Sequence, residues 1–530
     1  MHPFLYCFLS FSAILLNSSC NLMLLQEQPS AQKSNTPLVT IDGQTDLFSY
    51  EGHAFTLPTA TAADKQDGEI TSITITPNIL DESGNVRSGF EGVNTITYSA
   101  TDSDGNVGTS SISVTVDVPF CGGTGLFGDP FMICTLADLN AVRYYIDTYG
   151  LYTLANDIDA TDTSSGSSTR EWNTASGFLP IDTTAGVIFN GNNKSINGLN
   201  INRPETDYIG LFSQISSDDL SISNLSFSDS TIVGKNYTGL LVGRVASSIV
   251  NYIDNVDVVS SSITGLDQVG IITGHALDNI RIRETNIDSN SSVAGRRRVG
   301  GVLGYASDGV SVTYNESYAS IINNEVSQDI GGIVGQAYDA FLLNGNTYSG
   351  TITVENGTFS VGGIAGHSAP GPLYSTTFIN NNTSTLTLVG CASYAGGISG
   401  TITQAEMNGN NANFSFNEPS CSSSSVGGIV GEVFFDIAST SVSNSTISLN
   451  VSTNTTGLGG FAGIIVLYEN IDFTNISASG SLIGNDYVGS IVGRMKRYDS
   501  TENPLSIDGT SVTLLSVGTN SGDPYGAIDP

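Results

Sequence analysis

Hydrophobic and polar positions along this chain fall into two regimes. Between residues 208 and 495 one apolar, glycine-rich phrase recurs ten times: YIGLFS, YTGLLVG, QVGIITG, RVGGVLG, DIGGIVG, SVGGIAG, YAGGISG, SVGGIVG, GLGGFAG and YVGSIVG. Its first aligned glycines are Gly210, Gly239, Gly270, Gly300, Gly331, Gly362, Gly396, Gly427, Gly459 and Gly489, at intervals of 29 to 34 residues. A fixed period of that size predicts stacked repeats instead of one globule. Four positions on, all nine full copies carry a second glycine: Gly243, Gly274, Gly304, Gly335, Gly366, Gly400, Gly431, Gly463 and Gly493. Two positions on, the residue is always apolar, from Leu241 to Ile491. Stretches between the phrases, such as SISNLSFSDSTIVG, read as strands. The glycines would supply bends that a side chain obstructs, and the apolar positions would pile into an internal column.

Residues 37–118 alternate with period two in segments such as Thr71–Thr76, Val93–Tyr98 and Ser111–Val116, separated by Asp/Gly/Asn turns, which predicts a small β-sandwich. Residues 122–202 introduce the array. Residues 137–149 form the one plausible helix, with Leu139, Val142, Tyr145 and Ile146 along one side. Such a helix would cover the open end of the first coil, where core and backbone are otherwise exposed.

Composition sharpens the picture. Apolar residues are 39% of the 530, enough when strands put only alternate residues inside. A net charge of -33 disfavours nucleic acid and anionic membrane surfaces, and suits a soluble extracellular protein. Residues 3–16 are an apolar run too short to span a membrane comfortably, and residues 20–36 turn polar as a tether. Of six cysteines, Cys7 leaves with the export signal at residues 1–19. Four remain in the body, and four permit three pairings. Spacing favours Cys121 with Cys134, closing a short loop, and Cys391 with Cys421, one repeat apart; free buried thiols are the alternative.

Three stretches resemble known families. Asn17-Ser18-Ser19-Cys20 is similar to the lipobox of bacterial lipoproteins, loosely of the spirochaete type, which implies acylation of Cys20; an ordinary secretory signal is the alternative. The phrases at 62–71 and 92–106, with the closing strand SISVTV, resemble immunoglobulin-like modules of bacterial surface proteins in the HYR and cadherin-like group, usually spacers. The ten-fold phrase resembles the GLUG motif repeats of bacterial adhesins, and GGTGLFGDPFMICTLADLN resembles the leader that precedes them. That resemblance implies a right-handed parallel β-helix over residues 203–530, all-β with the N-terminal sandwich.

Candidate chemistry is sparse. None of the four histidines (His2, His53, His275, His367) is followed by Glu, so the H-E-x-x-H of zinc proteases is missing, as are a nucleophile elbow and a P-loop. Carboxylate pairs stand at Asp157/Asp159, Asp218/Asp219 and Asp254/Asp257; acid/base work or turn solvation would both suit them. No cofactor is called for, with calcium the one ion that Asp64, Asp67, Asp102 and Asp104 would suit, against plain turn chemistry. Arg281, Arg283, Arg296, Arg297 and Arg298 form a basic cluster suited to glycan sulfate or carboxylate, or to pairing with nearby acids. Arg494, Lys496 and Arg497 form a smaller one. Asn and Thr columns on flat faces would bind glycans or be solvated. These features point to a non-enzymatic lipoprotein of the bacterial outer membrane, anchored by lipid and exposed at the cell surface, or else secreted. Its β-helical face would bind host, matrix or glycan ligands. A β-helix polysaccharide lyase or glycosidase, and a structural envelope or biofilm component, are the alternatives.

Overall fold

The architecture comes from a computed structural model. It describes residues 36–529 except 147–149, 165, 167–169, 173, 184–185, 217–219, 324, 327, 340, 370–376, 422–424, 435–439, 456, 468–470, 486, 498–504 and 518–524. The export signal, Cys20, nearly all of the tether, and Asp218/Asp219 lie outside the described residues.

The repeats form a parallel β-helix with three faces. One is a 27-stranded sheet built from the alternating stretches, one a 12-stranded sheet and one a 9-stranded sheet. Each glycine-rich phrase forms the corner between the last two, as where Asp267–Gly270 on the short face turns into Thr273–Leu277 on the next. Rungs stack in strict register: Gly270 pairs with Gly300, then Gly331, Gly362, Gly396, Gly427, Gly459 and Gly489 in turn. The apolar column two residues on is internal, with Ile272, Val302, Ile333, Ile364 and Ile398 completely buried. Stacked aliphatic columns make one continuous core, so stability grows by rungs that each contact only their neighbours. The first phrase joins the short face by the single bridge Ile209 to Thr238, so ten phrases yield nine strands there.

The second glycine of the phrase is required by contact. An ideal Cβ on Gly366 would lie 2.4 Å from the Ile330 nitrogen and 2.5 Å from the Gly335 oxygen, both on the preceding rung. The same collision recurs at Gly304, Gly335, Gly400, Gly431 and Gly493. Each rung therefore lays its backbone directly on the bare glycine of the next.

An asparagine column fixes register at a corner of the long sheet. Asn315, Asn346, Asn382 and Asn410 are buried and chained: Asn315 Nδ2 donates to Asn346 Oδ1 (2.9 Å), Asn346 to Asn382 (3.0 Å) and Asn382 to Asn410 (3.1 Å). The expected exposed asparagine column is thus partly internal, because its amides satisfy corner backbone groups that apolar side chains would leave unpaired. A second column, which includes Asn344, Asn381, Asn408, Asn444 and Asn475, does run along the surface.

The chain divides into two compact units. The first comprises the described residues up to Thr45, Leu57–Asn78 and Thr95–Ile112; in it Leu38–Ile41 runs antiparallel to Ala60–Asp64, and Ile73–Thr76 antiparallel to residues 97–100. The second takes Asp46–Thr56, Ile79–Asn94 and everything from Ser113. Within it, strand Asp46–Tyr50 pairs in parallel with residues 113–117 and packs on the start of the β-helix. Phe48 meets Trp172 edge-on at 5.3 Å, Tyr50 donates to the Ala137 carbonyl at 2.6 Å, and Arg170 lies over Phe48 while pairing with Asp117 at 2.9 Å. The cap thus recruits strands from the segment assigned by sequence to the sandwich, so a cut at residue 122 would strip it. Phe48→Ala is expected to lower the unfolding free energy by about 3 kcal/mol, read from the urea midpoint, because the pocket against Trp172 cannot collapse fully.

The predicted helix spans Leu136–Tyr145, starting one residue earlier than expected because Thr135 caps it. Thr135 Oγ1 accepts from the Asp138 nitrogen and Asp138 accepts back from the Thr135 nitrogen, a reciprocal capping box. Leu139 and Val142 are fully buried beneath it. Disulfides join Cys121 to Cys134 and Cys391 to Cys421, the second spanning 30 residues and tying successive rungs.

Candidate functional site

The glycine corner creates a seam along the β-helix. Because the backbone of one rung rests on the next rung's glycine, two variable positions meet there: the residue two before the phrase glycine, and the residue five after it on the following rung. Four such pairs are in contact. Tyr237 stacks on His275 at 5.5 Å, Asp329 approaches His367 at 3.6 Å, Ser360 bonds Thr401 at 2.9 Å, and Tyr394 hydrogen-bonds Glu432. The second column is continuous in register, running Gln214, Arg244, His275, Tyr305, Gln336 and His367 and on through Thr401 and Glu432. In the first column Tyr208, Tyr237, Gln268, Arg298, Asp329 and Tyr487 adopt left-handed backbone, φ between 52° and 61°, which turns the chain at the corner. Most of these side chains are half-buried, whereas the His275 ring nitrogens, Gln268 Oε1, Asp329 Oδ1 and Gln336 Oε1 are enclosed between the rungs of an invariant backbone.

Electrostatics vary along the seam. At its N-terminal end Tyr208, Tyr237 and His275 stack in file, with Tyr208 and Tyr237 4.7 Å apart and their planes within 11°. Burial, reinforced by Arg244 and Arg298, holds the His275 imidazole down to about 3, so it is a neutral ring at physiological pH. Further along, burial raises the Glu432 carboxyl, opposed by its bond to Tyr394 and by Lys496 and His367. Tyr394 is pushed up to about 12 by burial and then by Glu432. With its folded value above the unfolded 4.5, Glu432 holds its proton more tightly when folded, so stability falls as pH rises through that window. Glu432→Gln is expected to abolish that part of the decline in urea titrations between pH 4 and 7.

The sequence-predicted residues are placed as follows. The basic cluster does not converge. Arg283 pairs with Asp254 at 2.9 Å and lies with Arg281 against Tyr252; Arg296 and Arg297 both bind Asp267; Arg298 alone turns into the seam, 4.8 Å over Tyr305. Arg494 lies over Tyr487 at 5.5 Å. The aspartates of the first unit are brought together in pairs of turns: Asp67 accepts from the Ser103 nitrogen and hydroxyl, and Asp104 from Gln66. Asp64 accepts from the Gln66 nitrogen, and Asp102 from the Asp104 and Asn106 nitrogens, the pattern of Asp-led turns. Among the described residues the tightest cluster of metal-ligand types is Cys121, Cys134 and Asp138, whose two sulfurs are bonded to each other. Asp157 accepts from Ser195 on the neighbouring rung, and Asp159 from Thr161 in its own turn. The seam itself was missed. Its signal was present as two chemically varied positions flanking a constant phrase, seven residues apart.

Residues 39–116 match the family model of the bacterial surface protein, Ig-like domain. The N-terminal module is therefore an immunoglobulin-like domain of bacterial surface proteins. The chain is 30% identical over 183 residues to halomucin of Haloquadratum walsbyi, covering 34% of this chain and 2% of that protein. It is 30% identical over 188 residues to a protein of Evansella cellulosilytica provisionally named a Gly-rich membrane protein, covering 35% of this chain and 21% of the relative. The chain thus spans a small part of these relatives. A crystal structure of a protein from Bacteroides ovatus, provisionally titled an immunoglobulin A1 protease, aligns over 76% of this chain and 88% of that one at 16% identity, with a TM-score of 0.26.

Proposed function

We propose that this protein is a non-enzymatic surface lipoprotein of the bacterial envelope, tethered through acylated Cys20, whose GLUG-type β-helix binds host, matrix or glycan ligands along the seam. The observation that carries this reading is the meeting of varied side chains from neighbouring rungs, at four places along one line of an invariant backbone. A stiff scaffold that repeats its framework and varies one line of contacts suits recognition of an extended ligand. Tyrosine, histidine, glutamine and arginine on that line offer ring surface and hydrogen bonds at low ordering cost. The immunoglobulin-like domain serves as spacer.

The test is binding of the full chain to glycan arrays and extracellular-matrix proteins, with Tyr237→Ser and Gln336→Ala as seam variants and Thr385→Ala on the long sheet as control. Weakening by the seam variants alone supports the reading; equal binding by all removes the seam from it. Labelled-palmitate incorporation lost in Cys20→Ala would support the anchor, and none in the native protein would refute it. The alternative of a carbohydrate-active enzyme draws on Glu432, a carboxyl whose hold on its proton is strengthened by burial beside Tyr394. Polysaccharide cleavage lost in Glu432→Gln would favour that alternative.

A further inference from the structure

Arg244 and Arg298 stand apart from the other arginines of the sequence cluster. Arg283 pairs with Asp254 one rung away, and Arg296 and Arg297 share Asp267, Arg296 also reaching Glu325 at 4.0 Å. Arg244 instead donates to the Gln214 amide oxygen at 3.2 Å, and Arg298 rests on the Tyr305 ring. Among the described residues neither makes an ion pair with a carboxylate. Asp278 and Asp308 stand at the ends of the neighbouring strands, and Arg244 acts on Asp278 through space only. The imidazole between the two guanidiniums is neutral, and neither of its ring nitrogens has a described partner. On a chain of net charge -33, two half-buried cations flanking one neutral ring lack the direct carboxylate contact that their neighbours have.

We infer that this stretch of the seam is a subsite for a linear acidic polysaccharide with well-separated carboxylate or sulfate groups, an assignment that rests on the seam being the binding line. Charge selects the anion: a guanidinium held by an amide or a ring keeps free N–H groups, and it binds carboxylate or sulfate through two of them. Geometry selects a polymer. Arg244 shares its column with His275 and then Tyr305, on which Arg298 lies, so the two cations are about two strand spacings apart, roughly 10 Å. That is too far for one carboxylate to bridge, and it suits a chain bearing charge on alternate sugars. Charge density excludes the closely spaced alternatives. Nucleic acid carries a charge every few ångströms, and the acidic flanks beside only two cations would repel it. The edges of Tyr208 and Tyr237 extend the line along which sugar rings would lie.

The test is calorimetric titration of the full chain at about 0.1 M salt with hyaluronan oligosaccharides, whose carboxylates alternate along the chain. Dextran is the neutral probe and polyphosphate the dense polyanion. We expect hyaluronan to bind more tightly than either, weaken at least tenfold in Arg244→Gln/Arg298→Gln, and stay within twofold in Arg297→Gln. Arg298→Lys should fall between, since it keeps charge but loses the fork, and unchanged melting curves show that the variants fold. Equal hyaluronan binding by the double variant, or polyphosphate binding at least as tight, overturns the assignment. Dextran binding that is lost in Tyr237→Ser, with no hyaluronan binding, overturns it and leaves the seam reading standing. No effect of any seam variant overturns both.

Discussion

Gly366→Val is expected to cost more than any surface substitution in this chain, well above about 3 kcal/mol. Inserting methylenes into a packed core commonly costs 1–3 kcal/mol, because flexible side chains give way. Here the colliding atoms are backbone: the Ile330 nitrogen, the Gly335 oxygen and the Asp329 carbonyl carbon, each within 2.6 Å of an ideal Cβ. They cannot move without breaking the strand pairing between rungs at Ile330–Gly331 and Val361–Gly362. Because coils stabilise each other only through neighbours, the damage should split the unfolding transition instead of shifting it whole. The urea curve is expected to become biphasic, with limited proteolysis cutting near residues 324–340. A single transition with an unchanged midpoint would refute the contact argument. Thr385→Ala, exposed on the long sheet, should stay within about 0.5 kcal/mol.

That same glycine explains how much of the molecule could be read in advance. The period, the paired glycines and the apolar position between them are local regularities, and they carry the parallel β-helix with its internal aliphatic column. The immunoglobulin-like module was legible from period-two alternation for the same reason. The helix was found one residue late because Thr135, not an apolar residue, sets its start. What stayed hidden depends on proximity between rungs. Asp329 and His367 are 38 positions apart, and only stacking brings them to 3.6 Å. The arginine cluster divides along the two readings it allowed, acid pairing for Arg283, Arg296 and Arg297 and a ring contact for Arg298. Arg281 to Arg298 are near in sequence, yet alternation and the corner send Arg283, Arg297 and Arg298 to three different surroundings. Arg244, more than thirty residues earlier, is the true neighbour of Arg298 across His275.

The seam and the asparagine column place opposite demands on the same rungs. Seam residues vary from one rung to the next, since a binding line needs no uniformity. The inner corner repeats asparagine because each amide must both accept from the rung before it and donate onward. A framework that tolerates change on one line has to be held rigidly on another.

Asn346→Ala tests that rigidity, with an expected loss of about 4 kcal/mol. Asn346 is fully buried. Its Oδ1 accepts from the Asn315 nitrogen at 3.1 Å and from Asn315 Nδ2 at 2.9 Å, while its own Nδ2 donates to the Val312 carbonyl at 2.8 Å and to Asn382 Oδ1 at 3.0 Å. Truncation leaves two Asn315 donors without this acceptor and one carbonyl without this donor. Each buried group stranded in that way costs about 1–3 kcal/mol, so two severe losses reach the stated figure. Asn381 makes the comparison: it donates to Asn344 Oδ1 at 2.9 Å on the exposed neighbouring column, with a left-handed φ of 55°. Asn381→Gly removes that bond without straining the backbone, and water replaces it, so the expected cost is below about 1 kcal/mol. Urea midpoints measure both, and hydrogen exchange at the Asn315 amide locates the damage: fast exchange in Asn346→Ala, native protection in Asn381→Gly. Equal costs for the two would mean that burial of the column contributes nothing, and register would then rest on the glycine corner alone.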